Sequence, residues 1–203
     1  MENNNYLEDI KEIKEIMNRT TRFISLSGLS GISTGLTALS GLLIAYYFVF
    51  KDKDYLVFKS VSLTRFDLIY LILIAVITLI ISITCAILFT IRKSKLQRQN
   101  ILDIQTKRLL INLSIPLITG GLLCLMLLQN GFIGILPSIT LIFYGLALVN
   151  SSKYTLPEIR NLGLIEILIG LLAFQFINYS LIFWALGFGG VQIIYGIIIQ
   201  KKY

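Results

Sequence analysis

The chain has 203 residues, of which 56% are hydrophobic and 14% charged, with a formal charge of +7. A water-soluble domain carries about 25% charged residues, and the apolar surplus here comes in long unbroken blocks that suit a bilayer, not a globular core. Histidine is absent, which removes the commonest general base and transition-metal ligand, and no Walker loop, CxxC pair or zinc spacing occurs.

The first 22 residues carry Glu2, Glu8, Asp9, Glu12 and Glu15 and lack the apolar core and cleavage site of a signal peptide. Tyr6, Ile10, Ile13 and Met17 share one helical face, so 1–22 is expected to be a cytoplasmic amphipathic helix, packed on the bundle, on a partner or on the bilayer.

Residues 23–203 read as an all-α, polytopic transmembrane bundle. Six apolar blocks, 23–50, 66–91, 109–129, 131–149, 159–177 and 181–199, each approach the length that crosses a hydrocarbon core. Gln129-Asn130-Gly131 and Asn178-Tyr179-Ser180 are links short enough to force antiparallel hairpins. Thr155 and Glu158 have capping-box spacing around Pro157 at the start of the fifth block. Pro116 and Pro137 are expected to bend or loosen their helices.

Fourteen of the eighteen Lys and Arg residues fall in the N-terminal segment, the second and fourth connections and the C-terminus. The other four, Lys51, Lys53, Lys59 and Arg65, fall in the first connection. This bias places both termini in the cytoplasm. The basic connection Arg92, Lys93, Lys95, Arg98, Lys107 and Arg108 fits topology control and attraction to anionic lipid, with docking of a cytoplasmic protein as the alternative. No nucleic-acid partner is expected. Cys85 and Cys124 lie inside apolar blocks and read as small packing residues.

The last two hairpins resemble each other. Segments 113–154 and 162–203 are both 42 residues long, and Gly121-Leu122-Leu123, Tyr144-Gly145 and Lys153-Tyr154 parallel Gly170-Leu171-Leu172, Tyr195-Gly196 and Lys202-Tyr203. Both units would run in the same direction, as a parallel repeat.

In the first span Ser27, Gly31, Thr34, Ala38, Gly41 and Ala45 recur on one face, and Gly31 with Gly35 makes a GxxxG pair. Small residues let helix backbones approach closely where lipid offers no hydrophobic drive. Two uses fit, packing within one bundle or a homodimer seam. Gly163, Glu166, Gly170 and Ala173 in the fifth span, and Ala185, Gly189, Gln192 and Gly196 in the sixth, form small faces expected to meet in the last hairpin.

Glu166 is the one acid well inside a span, and Gln192 is expected near the same depth. A charged carboxylate is costly in hydrocarbon, so Glu166 is expected to be neutral much of the time and to bond Gln192 or a backbone carbonyl. Proton handling or substrate recognition is the functional reading, and an interhelical packing bond is the structural one. Trp184, Tyr179, Tyr46 and Tyr47 suit interfacial anchors.

Several stretches carry a family resemblance: Arg22-Phe23-Ile24-Ser25-Leu26-Ser27-Gly28-Leu29-Ser30-Gly31, Glu158-Ile159-Arg160, Leu162-Gly163-Leu164, Glu166-Ile167, Phe183-Trp184-Ala185-Leu186-Gly187-Phe188-Gly189 and Ile194-Tyr195-Gly196. Over nearly its whole length the chain resembles a family of uncharacterised six-span bacterial inner-membrane proteins with no established activity. The resemblance implies six spans and a bacterial inner membrane, and assigns no catalytic residue. The expectation is therefore a non-enzymatic sensing or regulatory bundle acting through packing and partner contact, with membrane lipid around it and no cofactor or metal. The alternative is a small channel or proton-linked transporter using Glu166 and Gln192, and the third reading is an intramembrane enzyme.

Overall fold

The structure, a computed structural model, describes residues 27–50, 65–96 and 104–202. The amphipathic segment 1–22, most of the first connection and Arg98 lie outside the described residues. All regular structure among the described residues is helical. Helix α1 spans Gly28–Ala45 and continues as a π turn over Tyr46–Phe50. Helices α2, α3, α4 and α5 span Arg65–Leu96, Ile104–Gln129, Leu136–Ser151 and Pro157–Gln175. The last block is one helical rod in three parts: α6 at Ser180–Trp184, a π segment at Ala185–Val191, and α7 at Gln192–Lys202.

Five helices are long and apolar enough to cross a membrane: Gly28–Val49, Arg65–Lys95, Ile104–Gln129, Ile133–Tyr154 and Ile177–Lys202. The expected fifth span is not among them. Its helix, α5, forms close to the expected limits, but Glu158, Arg160 and Glu166 load a 19-residue helix with three charged side chains. Leu156, one residue later than Thr155, holds the N-cap of α5, and Glu158 reaches across to the ammonium group of Lys202. Pro116 sits inside α3 as expected. Pro137 does not interrupt its helix. It occupies the first turn of α4, after a 3-10 turn over Ile133–Ile135, where its missing N–H has no intrahelical carbonyl to reach.

The polar content of α1 is absorbed within the helix. Ser30, Ser33, Thr34, Thr37 and Ser40 each donate a hydroxyl back to a carbonyl of the preceding turn, which leaves the helix compatible with an apolar surrounding. Its small residues face other helices of the same chain. A Cβ on Gly31 would lie 3.1 Å from Gly196 Cα, one on Gly35 would lie 3.0 Å from the Gly189 carbonyl, and Gly41 sits against Thr78 of α2. This small-residue face thus packs on the last rod and on α2. Thr37 and Ser82 hydroxyls bond at 2.7 Å and lock the α1–α2 pair.

The glycines of the small faces of the fifth and sixth spans do not pack on each other, contrary to the expectation from their adjacency in sequence. Gly163 of α5 packs on Gly145 and Val149 of α4, and Gly170 packs on Leu141 and Ile142 of α4. Gly189 and Gly196 of the last rod pack instead on Leu39, Ile32 and Gly28 of α1. Closest approach goes to helices that oppose backbone to backbone, which Gly145–Gly163 and Gly28–Gly196 allow. The two Tyr-Gly glycines therefore do similar work, Gly145 against α5 and Gly196 against α1. The π segment of the last rod has no counterpart in α4.

Helices α1, α4, α5 and the last rod make the packed centre, with α2 held on α1 and α3 on α4. Leu148, Leu156, Ile159, Leu162 and Ile199 form a buried cluster at the end where the chain terminates. Helix α2 leaves Ile69, Leu73, Ile80, Ile87 and Leu88 exposed, a long apolar outer face.

A Cβ on Gly145 would come within 2.6 Å of the Gly163 carbonyl, whereas one on Gly121 meets nothing within 4 Å. Gly145→Leu is expected to destabilise the detergent-solubilised protein by ~3 kcal/mol through overpacking. Gly121→Ala is expected to be neutral or to stabilise by about 0.5–1 kcal/mol through helix propensity. Thermal unfolding followed by circular dichroism checks both signs.

Candidate functional site

The centre of the bundle holds a carboxyl group. Glu166 lies in the third turn of α5, two turns beyond the charged start of the helix, and it is 0% exposed. Its outward neighbours Leu164, Leu168 and Leu171 are exposed and apolar, so the helical period turns the acid inward. Gly187 of the π segment lies so close that a Cβ there would strike Glu166 Oε2 and the Leu141 side chain. Neither carboxyl oxygen has a hydrogen-bond partner among the described residues.

The expected Glu166–Gln192 bond does not form. Gln192 Nε2 donates to the Tyr144 hydroxyl at 2.9 Å and makes a longer contact, 3.4 Å, to Thr34 Oγ1. The reason is register: Gln192 opens α7, one residue beyond the π segment, and so faces α4 and α1 instead of α5. The Tyr144 hydroxyl is close enough to Glu166 for the two to interact electrostatically. Tyr144 accepts from Gln192 and retains its own hydrogen to donate. Four helices thus bring one polar group each to a common region: Thr34 from α1, Tyr144 from α4, Glu166 from α5 and Gln192 from α7. Gln192 Oε1 is a third acceptor with no partner among the described residues.

Three aromatic rings adjoin this group. Tyr144 and Trp184 each pack on Phe188, with ring centroids 4.9 Å apart in both pairs. Trp184 Nε1 donates to Thr140 Oγ1 at 3.2 Å. The half-buried Trp184 is therefore tied to the early turns of α4 by a specific bond. Tyr46, Tyr47 and Tyr179 are exposed. Beyond Trp184, toward the 3-10 turns that start α4 and α6, Ser138 and Ser180 are fully buried with hydroxyls lacking a partner among the described residues.

The other expected residues fall outside this region. Gly31, Gly35, Gly41, Gly163, Gly170, Gly189 and Gly196 serve helix contacts, and Ala38 and Ala45 are buried on the inner face of α1. Arg92, Lys95, Lys107 and Arg108 are exposed at the adjoining ends of α2 and α3, with Lys93 half-buried there. Cys85 and Cys124 are free thiols. Among the described residues no group of three or more Cys, Asp or Glu could hold a metal ion. Sequence reasoning singled out Glu166, Gln192 and Thr34 but missed Tyr144, Phe188 and Gly187 as parts of the site. A polar hydroxyl in mid-block at Tyr144 and the glycine-rich stretch 187–190 were the available signals.

Fold and site together define an all-helical bundle of apolar helices, compatible with a membrane protein, built around a buried carboxyl and an aromatic cluster. Comparison with protein-family models, curated proteins and solved structures finds no match.

A buried acceptor without a partner costs about 1–3 kcal/mol. Glu166→Met, which removes two such atoms from an otherwise apolar contact with Leu141, is therefore expected to raise the unfolding midpoint in detergent. A lowered midpoint would mean that the carboxyl makes a stabilising bond. Tyr144→Phe is expected to lower stability by ~1 kcal/mol, because it strips Gln192 of its best acceptor.

Proposed function

We propose that the protein is a six-span, proton-linked membrane carrier in which Glu166 is the proton-exchanging group. In this reading α5 crosses the membrane as the fifth of six spans. Roughly 28 Å long by its rise per residue, it lies against α4 and the last rod, so its acid faces protein while its leucines face lipid. The Lys and Arg bias puts both termini on the cytoplasmic side, and the family resemblance implies a bacterial inner membrane.

The observation that carries the reading is the burial of both Glu166 oxygens without a hydrogen-bond partner. A purely structural acid would be bonded, since the same helix packing could be had from an apolar side chain at lower cost. Tyr144, Gln192 and Thr34, followed by Ser30 and Ser27 along α1, continue the polar line from Glu166 toward the end of the bundle that holds Lys202. The closed packing around Glu166 suits a carrier, which exposes its site to one side at a time, better than an open channel.

A second reading is the non-enzymatic sensing or regulatory bundle. The full closure of the site and the long apolar outer face of α2 favour it. That reading needs no proton exchange at Glu166.

Infrared difference spectra of the purified protein separate the two. A protonated-carboxyl band that disappears as the pH rises, and is absent in Glu166→Gln, is expected of the carrier. A Glu166 band unmoved across the range in which the protein stays folded would overturn it. For topology, Asn178→Cys and Lys202→Cys, each in a chain with Cys85 and Cys124 replaced by alanine, are expected to react with an impermeant maleimide from opposite faces of oriented membranes. Reaction of both from one face would remove a span.

A further inference from the structure

We infer that the π segment Ala185–Val191 is a hinge, on which α1, α2 and α7 swing as one body away from α3, α4, α5 and α6 and open the bundle to Glu166 from the end where the chain terminates. The gate at that end is α7, held shut by Ile199 and by the Glu158–Lys202 ion pair. The motion is the opening step of the proposed carrier and rests on that reading for its use, while its geometry stands apart from it.

The last rod changes partners along its length. Its first part, α6, packs on α4 and α5. Trp184 Nε1 bonds Thr140 of α4 at 3.2 Å, and Phe183 stacks on Phe176 at the end of α5 with ring centroids 6.5 Å apart. Its last part, α7, packs on α1, where a Cβ on Gly196 would lie 2.7 Å from the Ile32 backbone nitrogen. The change falls inside the π segment: Gly187 faces Glu166 and Leu141, whereas Gly189, two residues on, faces Leu39 of α1. Each half has its own backbone seam, Gly145 on Gly163 in one and Gly28 on Gly196 in the other, and the Thr37–Ser82 bond pins α2 to α1. Among the described residues no such seam joins α7 to α4 or α5. Helix α1 likewise packs on α2, the π segment and α7, with no packed face on α4 or α5. A bend between the halves therefore breaks none of the close backbone contacts that hold helices together in lipid.

Side-chain contacts are what cross from α7 to the other half. From the hinge outward they are the Gln192–Tyr144 bond, then Tyr195 and Ile199 against the cluster of Leu148, Leu156, Ile159 and Leu162, then Lys202 on Glu158. Ile159, Leu162 and Glu166 recur at three and four residues and are all buried, so one face of α5 leads from the ion pair to the carboxyl. Helix α7 lies over the first turns of that face. Lifting it uncovers the way to Glu166 while α5 stays on α4. The opposite end stays shut, because the Trp184–Thr140 bond and the turn Ile177–Tyr179 lie on the far side of the hinge. The hinge itself departs from the α-helical ladder and carries glycines at 187, 189 and 190, and a Cβ on Gly190 would meet nothing within 4 Å.

The test uses the full-length chain in oriented membranes, with Cys85 and Cys124 replaced by alanine and Glu166→Cys supplying the one thiol. Its reaction with a charged, impermeant methanethiosulfonate from the face that carries Lys202 is expected to be slow. Lys202→Glu and Glu158→Lys each set like charges at the gate and are expected to speed it about two- to five-fold, and both reversals together to restore the slow rate. Damage to packing alone would not be rescued by the exchange of charges. Ile199→Ala is expected to speed the reaction about tenfold. Gly190→Ala, whose methyl has room, stiffens the hinge and is expected to slow the reaction of the Lys202→Glu chain about threefold. Rates unmoved by the reversals and by Ile199→Ala, or raised equally from the opposite face, would overturn the inference. Because the thiol replaces the acid, the result is read apart from proton exchange. An ungated thiol with the infrared titration of Glu166 intact would overturn the hinge and leave the proton reading standing. A gated thiol with a Glu166 band that never moves would keep the hinge and remove the carrier it serves.

Discussion

Removing a carboxyl from water is the constraint around which this bundle is organised. Hydrocarbon cannot solvate the group, and a charge there costs several kcal/mol unless something on the protein replaces the water. The chain deals with Glu166 by geometry first. Leucines at 164, 168 and 171 take the lipid side of α5, which turns the acid toward α4 and the last rod. It then leaves both carboxyl oxygens without a bond, although Gln192 and Tyr144 stand close by and bond each other. An arrangement that spends the Gln192 amide on Tyr144 and Thr34 and leaves both Glu166 oxygens unbonded keeps the acid available.

Close packing is what holds that arrangement still. Without a hydrophobic drive between helices in lipid, the contacts that persist are those in which backbones come nearest. Gly145 against Gly163 fixes α4 on α5, and Gly28 and Gly31 against Gly196 fix α1 on the last rod. These two seams flank the polar centre. They also explain why the fifth and sixth spans, joined by a short link, contribute different faces to each other than to α4 and α1. Between them, Gly187 lies against Glu166, Ile199 joins Ile159 and Leu162 in the buried cluster, and Lys202 pairs with Glu158.

Much of this was readable from the chain. Block lengths and hairpin links placed the helices to within about five residues at their ends, and the small-residue stripe of α1 announced a close contact. The partner of that stripe was not readable, because a period of three or four residues says which residues share a face and nothing about what the face meets. Glu166 stood out for a chemical reason, as a charge in an apolar block. Its charge, with those of Glu158 and Arg160, is also what separates α5 from the five helices that meet the requirements of a span by composition. The Glu166–Gln192 pairing failed for a reason hidden from any α-helical projection, since residues 185–191 do not keep the α-helical period.

That departure has a geometric consequence for the site. In an α-helix each residue advances the face by about 100°, and a π segment changes the count by widening the turn. The seven residues Ala185–Val191 therefore set which side of α7 points inward. With them wound as they are, Phe188 lies between Tyr144 and Trp184, Gly187 lies on Glu166, and Gln192 reaches Tyr144 and Thr34. Rewound with an α-helical count, the same sequence would turn Gln192 by a large fraction of a turn away from Tyr144 while Gly187 stayed close to its present place. The amide would be lost to the hydroxyl, and Tyr144 would be left with Glu166 as its nearest polar neighbour. The π segment thus couples the hydrogen bonding of Tyr144 to the winding of the last rod, and it does so at the point where the chain has placed glycines at 187, 189 and 190 and no polar side chain.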